Sequence, residues 1–316
     1  MKEAAFTRKN VDKWKEMESP VKKNPDELAS QLIELTDDLS YARTFYSGSK
    51  TESYLNQLVS HKFMKLYKNR KLNRNRFLKF WGMEIPLLIS EHKNKIRLAL
   101  LIFLVGMFVG VISAIFDDTY VRLILTDSYV NQTIENIEKG DPMAIYKGGS
   151  ASYFFLAITL NNIKVAFFAF VLGFFLSIGS SWIMFSNGVM LGAFQYFFFQ
   201  KGLFVTSVLS IWIHGTFEIT SIIIAGGAGI ILGNSILFPK SYPRMHSLKK
   251  GAVDGIKIIT SLVPIFIIAG FLESFVTRHT DMNPAISISI ILISLAIVIF
   301  YFIMLPRDLS GRLNKQ

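Results

Sequence analysis

The sequence predicts an all-α membrane protein: a polytopic transmembrane helical bundle of about six spans, one of them broken or a half-helix, preceded by a cytoplasmic helical region. Three observations carry this. Of the 316 residues 51% are hydrophobic, and these crowd between about Lys95 and Leu305. Residues 1–95 are polar and charged instead. The chain nonetheless has a formal net charge of +11, and a chain both apolar and basic points to a membrane. The expected organisation is a cytoplasmic helical region over 1–95, a transmembrane bundle over 96–306 and a cytoplasmic tail over 307–316.

Within the first region, Leu28, Leu32, Leu35 and Leu39 recur at alternating steps of four and three, which marks one face of a helix over 25–46. Asn24-Pro25-Asp26-Glu27 suits its start and Gly48 its stop. A second helix over about 51–67 presents Tyr54, Leu55, Leu58, Val59, Phe63 and Leu66 on one face, and the two are expected to pack as a hairpin. Between 62 and 80, Lys62, Lys65, Lys68, Arg70, Lys71, Arg74, Arg76 and Lys79 occur with no acid among them, beside Phe77, Phe80 and Trp81. Such a segment suits a helix lying on an anionic lipid surface, so membrane lipids, anionic at the cytoplasmic face, are an expected partner. A solvated basic face is the competing reading. No zinc-ligand spacing or aromatic RNA-recognition motif accompanies the charge, and no nucleic-acid partner is expected.

About 20 apolar residues at ~1.5 Å rise cross a ~30 Å hydrocarbon core. That length assigns spans to Ile96–Phe116, Asn162–Phe185, about Gly188–Gln200, Thr216–Phe238, Ala252–Val276 and Ile286–Leu305. Residues 203–238 exceed one crossing, which predicts a break near Gly215 with Leu203–Ile213 as a separate half-helix. The loop 117–161 is acidic on balance, whereas 239–251 holds Lys240, Arg244, Lys249 and Lys250 and no acid. The positive-inside rule therefore places both termini in the cytoplasm. The N-terminus lacks the apolar core of a cleavable signal peptide, so the first span is expected to direct insertion.

Small residues recur at four-residue spacing, as in Gly106/Gly110 and Gly188/Gly192, and a run follows at Ala225-Gly226-Gly227-Ala228-Gly229 with Gly233 beyond it. This spacing lets helix backbones approach closely in lipid, and Gly188, Gly192, Gly215, Gly226, Gly227, Gly229 and Gly233 are the candidate packing positions. Ionisable groups within spans are costly and need partners. His214 and Glu218 are four apart on one helix face, and Glu273 lies near the outer end of the fifth span. With Asn161, Asn162 and Lys164, a candidate counter-charge, they are expected to converge as a polar cluster near the outer leaflet. That cluster reads either as a cavity handling protons or cations, or as hydrogen bonds holding the bundle together. The chain has no cysteine, no His-Glu-x-x-His and no Gly-x-Ser-x-Gly, so no catalytic residue, metal or cofactor is expected.

The stretches Asn161-Asn-Ile-Lys-Val-Ala-Phe, Asn187-Gly-Val-Met-Leu-Gly192, His214-Gly-Thr-Phe-Glu218 with the glycine run, and Ala269-Gly-Phe-Leu-Glu273-Ser-Phe-Val-Thr resemble motifs of the stage II sporulation protein M family. Leu35-Thr-Asp-Asp-Leu-Ser-Tyr-Ala-Arg43 with Tyr54-Leu-Asn-Gln-Leu-Val59 is similar to its longer, N-terminally extended members. The resemblance spans roughly residues 28–278, and the His-Gly-x-x-Glu element is its most specific part. It implies an integral protein of the bacterial cytoplasmic membrane that works with other envelope proteins; in endospore formers the family acts beside peptidoglycan-degrading partners. A non-enzymatic scaffold in envelope remodelling is the first expectation. The alternative is a transporter, channel or lipid-handling protein using the polar cluster, which a water-accessible cavity reaching Glu218 and Glu273 would favour. The sequence leaves the oligomeric state open.

Overall fold

The computed structural model describes residues 1–18, 25–68, 74–239 and 241–313. They fall into two compact units, Met1–Phe77 and Leu78–Gln316, and contain helices but no strand. Asn24, Arg70, Lys71 and Lys240 lie outside the described residues, as do the side chains of Lys65, Leu66, Lys68 and Arg74.

In the first unit, α1 (Glu3–Glu18), α2 (Pro25–Phe45) and α3 (Lys50–Lys68) share one core. The leucine stripes supply Leu35 and Leu39 from α2 and Leu55 and Leu58 from α3, all buried. Gly48, at φ +76°, makes the left-handed turn between them. The expected hairpin is therefore completed by α1, which the sequence reading leaves without a helix. Its apolar side is sparse, yet Phe6, Trp14 and Met17 are all buried. Trp14 is 1% exposed, and its Nε1 donates to Asp38 Oδ2 at 2.8 Å while Lys13 Nζ pairs with the same carboxylate at 2.7 Å. Lys62 departs from its expected place at a lipid surface: it is buried and donates to Gln31 Oε1 at 2.8 Å.

The second unit begins within α4 (Arg74–Lys79), which runs through a π-helical turn, Phe80–Glu84, into α5 (Ile85–Glu91). Then come α6 (Lys93–Phe116), two short helices α7 (Asp118–Leu125) and α8 (Asp127–Glu138), α9 (Ala151–Val171), α10 (Ile178–Gln200), α11 (Phe204–Leu237), α12 (Arg244–Phe271), α13 (Pro284–Ile299) and α14 (Leu305–Leu313). Five of these, with their short continuations, are long and apolar enough to cross a membrane: Lys93–Phe116, Ala151–Phe174, Phe204–Leu237, Arg244–Val276 and Pro284–Leu313. We call the end holding Lys93 and Arg307 proximal and the end holding the 117–150 segment distal.

Close backbone contact sets the directions. A Cβ on Gly106 would collide with the Phe185 carbonyl and one on Gly110 with the Val189 carbonyl, while Gly188 and Gly192 sit against the Phe103 and Met107 carbonyls. Both numberings rise together, so α6 and α10 are parallel, and α9 must return between them. α10 is thus a full 23-residue helix rather than the short third span expected. The second expected span, Asn162–Phe185, is corrected: the helix begins at Ala151, and the chain reverses over 172–177. Leu176 and Ser177 take positive φ there, 54° and 68°. Serines satisfy the freed backbone, Ser180 Oγ donating to Ala169 O at 2.6 Å and Ser177 Oγ to Ile230 O at 3.3 Å, as apolar surroundings require. The turn nests on Gly229 and Gly233 of α11, where any side chain would strike Ser180, Ser177 and the Gly173 carbonyl.

The expected break near Gly215 is absent, because α11 runs unbroken for 34 residues, about 51 Å at ~1.5 Å per residue. At the distal end α7, α8 and residues 144–147 pack with the end of α10 through Val121, Val130, Met143, Phe197 and Phe198. Gly226 and Gly227 admit Met184 and Ile96 closely, but Gly215 meets only its own helix at ordinary distance, so it is not a packing glycine.

Replacing Trp14 by Ala should lower the stability of the first unit by about 3–5 kcal/mol in urea denaturation, the range for large buried aromatics. A loss under 1 kcal/mol would contradict the core described. In the second unit, Gly188→Leu should abolish a monodisperse folded species in detergent, whereas Gly311→Ala, with nothing within 4 Å, should leave it unchanged. Equal behaviour of the two variants in size-exclusion chromatography would show that the α6–α10 contact is not close.

Candidate functional site

Because α11 is continuous, His214 and Glu218 stand one turn apart on a single side of it. Opposite them, α12 passes into a π-helical turn, Leu272–Val276, which carries Glu273 and is followed by Thr277. A π turn adds a residue to the helical circuit and re-aims its side chains. His214 Nδ1 lies 3.0 Å from Thr277 Oγ1, and that hydroxyl donates to the Ser210 carbonyl at 3.5 Å. In the tautomer where Nδ1–H donates to Thr277, Nε2 keeps its lone pair. Nε2 faces Glu273 Oε1 at 4.0 Å. One donor atom each from His214, Glu218 and Glu273 lies within 4.8 Å of the other two. Among the described residues no Lys or Arg pairs with either carboxylate. An imidazole nitrogen with two carboxylates is a donor set that a divalent cation accepts, although ~2.0–2.2 Å ligation requires the three to draw closer.

These groups border a cavity of about 350 Å³. Its distal wall is Ile124 and Leu125 of α7, Tyr129 of α8 and Tyr146, and Asn187 of α10 also lines it. Burial pushes the Tyr129 hydroxyl up to about 12 and raises that of Tyr146 as well, so both stay neutral donors. The Tyr146 ring centre is 6.0 Å from that of His214.

Of the expected cluster, the structure brings together His214, Glu218, Glu273 and Asn162. Asn162 is buried with its side-chain amide against the Glu218 carboxylate; Thr159 Oγ1 on the same helix and Ser274 Oγ beside Glu273 are buried and unpartnered. Asn161 and Lys164 do not join them. Both are exposed, and Lys164 Nζ lies 6.0 Å from the Phe168 ring on an outward face. The reason is helical phase: residues one and two positions from Asn162 point ~100° and ~200° away from it.

Sequence reasoning missed Thr277, Tyr129, Tyr146 and Asn187, whose roles depend on tertiary placement. It also missed a second group at the proximal end, where His92 Nε2 lies 3.2 Å from Asp254 Oδ2 and Glu91 belongs to the same set. Lys250 pairs with Glu91 at 3.1 Å and Lys257 with Glu84 at 2.5 Å, so here carboxylates and cations neutralise one another and tie α5 to α12. Asp254 and Lys257, charged within an assigned span, were the available signal.

The sequence model of a domain of unknown function (DUF8413) matches residues 4–68, inside the first unit. No curated protein and no solved structure matches the chain. The model described as Stage II sporulation protein M matches residues 99–278, more than half the chain and every residue of the His214/Glu218/Glu273 group, and the chain belongs to that family.

Proposed function

We propose that this chain is a multi-pass protein of the bacterial cytoplasmic membrane, non-enzymatic and acting with other envelope proteins, and that it takes up a small cation or cationic group in its distal chamber. One observation carries this reading. Two carboxylates and an imidazole border an open cavity, and among the described residues no cationic side chain pairs with them. Ionisable groups at such depth are costly unless compensated. Buried polar atoms without partners, Thr159 Oγ1 and Ser274 Oγ among them, also call for a ligand or water. The scaffold reading is favoured by the family, whose description is that of a sporulation protein, and by the glycine-lined α6–α10 seam.

The orientation follows from charge. Arg244, Lys249 and Lys250 belong to the proximal end, while Asp117, Asp127, Glu135 and Asp141 belong to the distal segment, which supports a cytoplasmic proximal face. The chain has no native cysteine, so Glu138→Cys and Met245→Cys can be labelled singly with an impermeant thiol reagent. They should react from opposite sides of the membrane, and labelling of both from the same side would refute the orientation.

For the chamber, Glu218→Gln and Glu273→Gln keep shape and remove charge. Each should abolish growth complementation of a strain that depends on this protein while leaving melting in detergent nearly unchanged. If the groups instead brace the bundle, the same variants should cost roughly 1–3 kcal/mol in stability, since a partner is left unpaired. Wild-type stability and full complementation in both variants and in His214→Ala would refute both readings.

A further inference from the structure

A second cavity, about 410 Å³, lies at the proximal end between α5–α6, α11 and α13–α14, and differs from the chamber in every respect. Its mouth is basic, with Lys93 and Arg97 from α6 and Arg307 from α14, all exposed. Three other cations on this face are paired: Lys250 with Glu91, Lys257 with Glu84 and Arg312 with Asp308. Among the described residues, Lys93, Arg97 and Arg307 have no carboxylate partner, and all three converge on this one groove. Behind them the walls turn apolar, with Leu100, Ile223, Ile224, Val298 and Phe302. From Lys93 to Leu100 the helix climbs ~10 Å, so the groove leads from the membrane boundary into the hydrocarbon.

We propose that this groove holds one anionic glycerophospholipid of the leaflet at the proximal end. Its phosphate lies among Lys93, Arg97 and Arg307, with the Ser90 and Ser310 hydroxyls at the same mouth, and an acyl chain lies along Ile223, Ile224 and Phe302. Charge complementarity at the mouth selects the headgroup, and the apolar depth requires a tail. A soluble anion satisfies only the first requirement, and a neutral lipid only the second. The site is separate from the distal chamber, and it stands whether or not the chamber binds a cation.

The test is native mass spectrometry of the full chain in detergent, titrated with phosphatidylglycerol or phosphatidylcholine. One phosphatidylglycerol should be retained per chain and phosphatidylcholine should not. In Lys93→Gln/Arg97→Gln/Arg307→Gln, affinity should fall on the order of a hundredfold, from roughly fivefold per interfacial cation. A control lacking three other exposed cations, Lys201→Gln/Arg244→Gln/Lys249→Gln, should retain the lipid. If the triple groove variant does not fold, Arg307→Gln alone, on exposed α14, should weaken retention about fivefold. Glycerol 3-phosphate should not displace the lipid. Undiminished retention in the groove variants, equal retention of phosphatidylcholine, or displacement by glycerol 3-phosphate at comparable concentration would each overturn the proposal.

Discussion

The second unit is organised around the close approach of neighbouring helices to α11. In lipid no hydrophobic force drives apolar helices together, so a central helix is held only where backbones can come near enough for dispersion and hydrogen bonding. The apolar window of α11 is 72% buried, against 28% for α6 and for α9 and 11% for α13, which makes it the axis about which the others are arranged. Gly229 and Gly233 make this possible, since the reversal between α9 and α10 occupies the volume where their side chains would be. Once that turn is seated, α10 is positioned beside α6, and α12 closes the opposite side, with Ile258, Leu262 and Phe266 in the common core.

The same helix behaves differently along its length. Toward the proximal end it is glycine-lined and closely packed; toward the distal end it carries His214 and Glu218, and Gly215 leaves room rather than making contact. Carboxylates there are held in a low-dielectric setting by a scaffold that does not collapse onto them, because the roof of α7, α8 and Tyr146 has its own core. A single element thereby supplies rigidity to one half of the bundle and an unfilled polar space to the other.

Much of this was legible in the sequence, and the failures have identifiable causes. The leucine stripes of α2 and α3 and the i, i+4 pairing of His214 with Glu218 are local, so periodicity reports them directly. The reversal at 172–177 was hidden because residues 165–176 are apolar almost without interruption, and a turn whose exposed residues, Phe174, Phe175 and Leu176, are themselves apolar leaves no polar signature beyond a few serines and Gly173. The break expected at Gly215 rests on length alone, and Gly215 meets only Ile211 and Ile219 of its own helix, so nothing there interrupts α11. Asn161 and Lys164 were grouped with Asn162 by depth, whereas helical phase separates them. Helix α1 was overlooked because three buried residues among many charges form a weak stripe, although Trp14 is among the most enclosed side chains of its unit.

The parallel pairing of α6 with α10 also bears on how the chain assembles. Parallel neighbours cannot be consecutive spans, so the surface of α6 that carries Gly106 and Gly110 has to wait, after it emerges, for α9 to be laid down and reversed before its partner exists. During synthesis that surface faces lipid or an insertion factor, and the contact that completes it is long-range in sequence and correspondingly late. The turn at Leu176 and Ser177, where serine hydroxyls bond backbone carbonyls, is what returns the chain alongside α6, so the α6–α10 contact cannot form until it has.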